Sequence, residues 1–242
     1  MPTRLEAIKQ HLRGVKKRLL YTFVAFGIGA ALTWYYKSTI ILWLIAPARG
    51  QISETWQPIF TGPTEMLSLT IRVSLLGGVV VALPVLAFGV ARTISPFLNA
   101  QQRRFVVLFL PSAFVCYLTG AAFAYWVLLP TGLGFLLKFG TDVAAPMLRI
   151  TEYMDLVLAM LFWLGVIFEL PLAMLLATKL QVVSYRRLKS LRRYVPAMAF
   201  ILSAIITPTA DVVNWILVGL PIIFLFEVGL FLSWLARPKG TG

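Results

Sequence analysis

Residues 156–178 read LVLAMLFWLGVIFELPLAMLLAT, a run whose one charge is Glu169 and whose one proline, Pro171, stands two places after it. At 1.5 Å per residue such a run crosses a hydrocarbon core of about 30 Å. A charge at the bilayer centre costs about 2.5–3.5 kcal/mol, so the segment reads as a membrane span that carries an acid for a reason. Working outward, further runs free of Asp, Glu, Lys and Arg cover Leu19 to Tyr36, Val73 to Ala91, Phe105 to Leu137 and Tyr194 to Ala210; a sixth, Val212 to Ala236, is interrupted by Glu227. Composition agrees, with 60% apolar residues against 13% charged, where a soluble domain has roughly 45–50% and about 25%. The sequence predicts an all-α membrane protein of six transmembrane helices, folded as a single domain over 1–242.

The third run is too long for one span, and Pro130-Thr131-Gly132 lies too near its end to make two. The expectation is a span that ends near Pro130 and continues as a partly helical cap. The fifth and sixth helices are expected to be short, because Thr207-Pro208 follows Pro196 so closely. Lys and Arg divide 17 to 5 between alternate loops, and the poorer set carries the acids Glu54, Glu65, Asp142, Glu152, Asp155 and Asp211. Positive charge stays inside, so both termini are expected in the cytoplasm, with extracytoplasmic caps at 37–72 and 131–155. Most of the formal +13 is then topology signal, and no nucleic-acid partner is expected. A cleavable leader is the competing account of the N-terminus, but Trp34-Tyr35-Tyr36-Lys37 after the first run is bulky, and Ala46-Pro47-Ala48 comes too late and contains a proline.

One Cys and one His, Cys116 and His11, leave too few ligands for the usual metal or redox sites, and no Walker-type loop occurs. His11 lies across the expected bilayer from the extracytoplasmic acids, so no hydrolytic triad can assemble. No enzyme, cofactor or metal is expected. What needs explaining is the pair of intramembrane acids, Glu169 and Glu227. Each stands ten residues before a cation, Lys179 or Arg237, at one expected depth, and an acid buried there without a paired cation can be protonated and donate a hydrogen bond. Either an interhelical hydrogen bond or a functional contact accounts for Glu227; Glu169, beside Leu170-Pro171, reads as a partner contact. In the arm 1–18, Leu5, Ile8, Leu12, Val15 and Leu19 recur at helical spacing, with Lys9, Arg13 and Lys16 elsewhere on the wheel. Such an amphipathic helix lies on anionic lipid or forms a wall of a cytoplasmic docking surface. Gly27, Gly29, Ala30 and Ala31 permit close helix packing.

With these residues in order along six spans, the chain resembles the TatC family, the multispanning receptor subunit of the twin-arginine protein translocase. The likeness runs from His11-Leu12 and Lys16-Lys17-Arg18 through Ala46-Pro47, Pro63-Thr64-Glu65, Ala82-Leu83-Pro84, Ser95-Pro96-Phe97-Leu98 and Gln102-Arg103-Arg104. It continues through Gly120-Ala121-Ala122-Phe123-Ala124-Tyr125, Phe168-Glu169-Leu170-Pro171, Arg192-Arg193-Tyr194-Val195, Thr207-Pro208-Thr209-Ala210-Asp211 and Phe226-Glu227. The resemblance implies a receptor in the cytoplasmic membrane of a prokaryote, or an equivalent organelle membrane, that binds twin-arginine signal peptides of folded cargo. It would assemble single-span TatA/TatB-type subunits for export driven by the proton-motive force, and it allows a homo-oligomer. By the same resemblance signal-peptide docking falls to His11, Leu12, Gly14, Lys16, Arg18, Pro47, Thr93, Pro96, Gln102 and Arg103. The intramembrane polar or partner-contact set is Glu169, Pro171, Thr207, Pro208, Asp211 and Glu227.

Two departures fall in the docking set. Gly14 stands where the family usually has Glu, and Gln102-Arg103 where it has Glu followed by Arg or Lys, while Arg92 adds a cation nearby. A neutral acceptor binds guanidinium about half as strongly as a carboxylate, so weaker or altered twin-arginine recognition is expected, as in a divergent paralogue. A small proton-coupled transporter is the alternative that Glu169 and Glu227 suggest, although the chain halves show no repeat; a scaffold without transport activity is another.

Overall fold

The computed structural model describes residues 4–52, 58–95, 98–138, 149–207 and 211–236, and in the first helix it describes side chains from Gly14 onward. Ten α-helices occur there: α1 Arg4–Tyr35, α2 Lys37–Ile52, α3 Glu65–Ile94, α4 Ala100–Phe123, α5 Leu129–Lys138, α6 Ile150–Phe168, α7 Leu170–Lys179, α8 Tyr185–Leu191, α9 Val195–Ile206 and α10 Val212–Ala236. Among the described residues there is no strand, only an isolated bridge between Ile59 and Arg149. Glu65–Thr93, Gln102–Leu136, Ile150–Lys179 and Val212–Ala236 are long and apolar enough to cross a membrane. Gly14–Tyr35 and Lys37–Arg49 qualify together as a pair broken at Tyr36, and Val195–Ile206 is a shorter apolar helix.

The chain forms two compact units. The first comprises Met1–Lys37 and Thr70–Phe114, the second Ser38–Leu69 and Val115–Gly242. In the first unit α1 and α3 run antiparallel and touch through glycines. A Cβ on Gly29 would come within 2.7 Å of Val81 Cβ, one on Gly78 within 2.8 Å of the Phe26 carbonyl, and one on Gly77 would strike Thr33. Hydrogen at these positions is what lets the helices approach. Gly29 serves the packing expected of it, whereas Gly27 has nothing within 4 Å of where its Cβ would be.

The second unit packs α10 against α7 and α9, with Met174, Leu188, Val195, Phe226 and Leu230 forming a buried cluster that α8 also joins. A second close crossing joins α4 to α6: a Cβ on Gly120 would lie 2.5 Å from the Leu164 carbonyl, and one on Gly165 would strike the ring of buried Tyr117. Hydroxyls along these apolar helices donate to the carbonyl four residues earlier, as Thr178 does to Met174 at 3.0 Å and Ser203 to Ala199 at 2.6 Å. These hydroxyls are thereby paired within their own helices.

One expectation needs correction, the short sixth helix, and two gain detail. The third run continues past Pro130 as helix: it passes through a π-helical turn, Ala124–Leu128, and goes on as α5 to Lys138. The Leu129 N–H bonds back five residues to the Ala124 carbonyl, and this wider turn accommodates a proline ring and its missing donor in the next position. The sixth helix is not short. α10 has 25 residues, about 37 Å at helical rise, because Pro221 removes one hydrogen bond without halting a helix whose apolar sequence continues. The fifth, α9, has 12 residues, about 18 Å, as expected. Helices also outrun the apolar runs: α3 begins at Glu65 and α6 at Ile150, so residues 65–72 and 150–155, expected in caps, are helical. Local capping rather than hydropathy fixes these starts, Glu65 N–H bonding the Gly62 carbonyl at 3.2 Å and Ile150 N–H the Ile59 carbonyl at 2.9 Å.

Candidate functional site: a basic docking face and an intramembrane carboxylate

Six of the expected docking residues, Gly14, Lys16, Arg18, Thr93, Gln102 and Arg103, are described within the first unit. Arg18 on α1 donates from Nη1 to Thr93 Oγ1 on α3 at 2.7 Å, and Thr93 donates in turn to the Gly89 carbonyl at 2.8 Å. The guanidinium is thereby held at the last turn of α3, where carbonyls point outward and a cation is favoured. Lys16 lies two residues earlier on α1, on a different side of the helix. Across the connection, Asn99 precedes α4 and Gln102 is its third residue. The Gln102 Oε1 accepts the Asn99 N–H at 3.1 Å, the backward half of a capping box. Sequence reading missed this task for Gln102, although Asn-x-x-Gln before an apolar run is its signal. Arg92 lies over the Phe88 ring at 5.6 Å. Arg92 and Arg103, with Phe88, Ser95, Leu98 and neighbours, line a cavity of about 170 Å³. At Gly14 a Cβ would meet the Arg18 guanidinium at 3.6 Å. His11 and Leu12 lie on α1, but their side chains, with Pro96 and Pro208, lie outside the described residues.

Pro47 belongs to the second unit, where α2 carries it. In a regular helix its N–H would bond the Trp43 carbonyl; a proline has none. The Tyr125 hydroxyl donates to that carbonyl at 2.6 Å, its ring stacked on Trp43 at 4.0 Å, while Tyr153 donates to the next carbonyl, Leu44, at 2.7 Å. Near α2, Glu65 gathers Thr61 N–H and Thr61 Oγ1, both at 3.0 Å, and pairs with Arg149. The guanidinium and then the Thr61 N–H hold its carboxyl well below the ordinary range. Neither Tyr125, Tyr153 nor the Glu65–Arg149 pair was marked by any sequence signal for these roles, since each joins residues more than 80 positions apart.

Glu169 occupies the break between α6 and α7. Its N–H makes a tight bond to the Val166 carbonyl at 3.1 Å, and Pro171 enters the first turn of α7, so the proline loosens this helix as the sequence suggested. Phe168 beside it packs on Phe123, ring centroids 5.6 Å apart. Among the described residues no hydrogen bond or ion pair engages the Glu169 carboxylate. Glu227 differs. It accepts from Arg192 Nε at 2.6 Å, a cation from the turn after α8 that sequence spacing did not mark. Thr207 ends α9 in extended backbone and donates to the Ser203 carbonyl at 2.7 Å. Asp211 opens α10 by accepting the Asn214 N–H at 2.7 Å, with Asn214 Nδ2 at 3.0 Å from its second oxygen. Asn214, fully buried, was missed by sequence reading. Thr207 and Asp211 thus serve helix ends.

A profile of the family described as Sec-independent protein translocase protein (TatC) matches residues 10–221. The chain belongs to the TatC family. A protein named Sec-independent protein translocase protein TatC from Aquifex aeolicus is 32% identical over 234 residues, covering 96% of each chain. One of the same name from Desulforapulum autotrophicum is 34% identical, covering 91% of this chain and 82% of its own. The structure titled Crystal Structure of Twin Arginine Translocase Receptor- TatC superposes with a TM-score of 0.81 at 32% identity, covering 93% of this chain and 99% of that one. This TatC-family chain is accordingly a multispanning, helical membrane component of a protein translocase, and it is not an enzyme.

Proposed function

We propose that the chain is the receptor subunit of a twin-arginine-type translocase, with six spans, both termini cytoplasmic, and the signal peptide docking on the basic end of the first unit. The whole-length likeness to the twin-arginine translocase receptor carries this reading, and the Arg18–Thr93 bond at the end of α3, with Gln102 and Arg103 in the first turn of α4, supports it. In this reading the Gln102 amide oxygen and the open end of α3 offer neutral acceptors to a guanidinium pair, and Glu169 meets a polar group of a single-span Tat subunit within the membrane. The second-unit pairs Glu227–Arg192 and Asp211–Asn214 hold the helices that frame it.

Supplying the chain to a bacterium deleted for its own subunit tests this. Export of a folded reporter behind an Arg-Arg leader, lost with Lys-Lys, is the expected result; no export with the cognate single-span subunits present refutes it. A divergent paralogue with altered recognition is favoured by Gly14, Gln102 and Arg92, and it would export only with a leader of another pattern. Proton-coupled solute transport is weakened as a reading, since Glu227 pairs with Arg192 and only Glu169 is left to motivate it.

A further inference from the structure

Charge in the first unit is one-sided: Glu6 is its only acid in sequence, against eleven Lys and Arg. Where α3 ends and α4 begins, that imbalance surrounds the 170 Å³ cavity. Arg92, Ser95 and Arg103 supply its polar side, and Phe88, Val106 and Leu110 its apolar side. No carboxylate is among the lining residues, and neither arginine forms an ion pair among the described residues.

The level of the cavity is set by sequence. Arg92 directly follows the uncharged run that ends at Ala91, and Arg103 comes two residues before the one that starts at Phe105. Both guanidinium groups therefore stand where hydrocarbon gives way to water, the depth of lipid phosphates. The space admits several waters, enough for a phosphate with a few attached atoms. Beside it Phe88 and Val107 are 50% and 56% exposed, offering an apolar track on which a chain attached to that phosphate could lie. Two planar donors fit phosphate oxygens, and basic pockets between spanning helices are established headgroup sites elsewhere.

We propose that this cavity binds the headgroup of an acidic phospholipid, with Arg92 and Arg103 engaging the phosphate and the acyl chains lying along Phe88 and Val107. The inference rests on the cavity and its charge, and its readout, bound lipid, is separate from the receptor reading.

Native mass spectrometry of the full chain in mild detergent tests it, with phosphatidylglycerol and phosphatidylcholine as probes. Phosphatidylglycerol should be retained in preference, and Arg92→Gln with Arg103→Gln should weaken its retention about thirty-fold, with roughly fivefold for either alone. The Lys pair at these positions should keep most of the binding and shows whether loss reflects charge or misfolding. Arg186→Gln with Arg187→Gln on α8 should change nothing. Equal retention by the Gln pair, an equal loss in the α8 variant, or equal retention of phosphatidylcholine overturns the proposal. Displacement of the lipid by glycerol phosphate at matched concentration would reduce the site to one for a free phosphate, and displacement by an acidic peptide to a protein site. Either overturns it. If the double Gln variant does not fold, Arg92→Gln alone, at an exposed side chain, decides.

Discussion

Placing a carboxylate at Gln102 should strengthen Arg-Arg peptide binding more than placing one at Gly14, for reasons set by what each side chain already touches. Gln102 engages its single amide oxygen with the Asn99 N–H at 3.1 Å, leaving one lone pair. In Gln102→Glu one carboxylate oxygen keeps that cap, which the positive end of α4 favours, and the other is left for guanidinium. Replacing a neutral by a charge-assisted bond is worth about 1 kcal/mol, or roughly fivefold in Kd. Gly14→Glu behaves differently. Its Cβ would already lie 3.6 Å from the Arg18 guanidinium, and Glu four residues before Arg is the favoured order for a helical pair, worth about 0.3–0.5 kcal/mol. The new carboxylate is drawn to Arg18, so the gain should stay near twofold, and the double variant near tenfold. Titration calorimetry in nanodiscs measures all three, with a Lys-Lys peptide as control because lysine lacks the planar fork. A gain from Gly14→Glu equal to or above that from Gln102→Glu refutes the pairing argument. Equal, tight binding by unmodified and doubly substituted chains shows that recognition lies elsewhere.

Tyr125→Phe should leave the Trp43 carbonyl without its donor and cost about 1–3 kcal/mol, a fall of roughly 2–10 °C in Tm; Pro47→Ala restores an N–H, so the same change in that background should cost clearly less. Because Arg149 holds the Glu65 carboxyl below its ordinary range, the stability it contributes is present above the unfolded carboxylate pKa and lost only as pH falls through the folded one, near 2. Melting curves should therefore change less in Glu65→Gln than in the parent between pH 4 and 2, and identical acid profiles would contradict the pairing. A photoreactive group at Phe168 or Leu170 should capture a second polypeptide, and Glu169→Ala should abolish it; purely intramolecular products make Glu169 structural. Cysteines at Glu54, Asp142 and Asp211 in a Cys116→Ala chain should react from outside intact cells, and protection of all three rejects the orientation.

The helices were legible because hydropathy and length are local properties: the runs from Val73, Leu156 and Val212 each lie within a long helix. Ends were not, since a helix stops where its backbone groups find other partners. Pro130 looked like the end of a span, but the π-helical turn before it let the helix proceed, and Glu65 and Ile150 begin helices upstream of any apolar boundary. In the docking face the residue types were readable, but not their commitments. Nothing in Gln102 itself says that one oxygen is engaged by Asn99, and nothing in Glu227 points to Arg192, 35 residues earlier. Such pairings depend on how distant segments pack, and sequence spacing carries no record of it.

The exchange of a backbone donor for a tyrosine hydroxyl at Trp43 also gives substitution at these two places a direction. Losing Pro47 first leaves the carbonyl with a donor from either source, a step the fold tolerates. Losing the Tyr125 hydroxyl first strands the carbonyl, and every route through that state is steep. A lineage could therefore shed the proline and afterwards the hydroxyl, but it could seldom travel in the opposite order, so the present pair is easier to leave by one door than by the other.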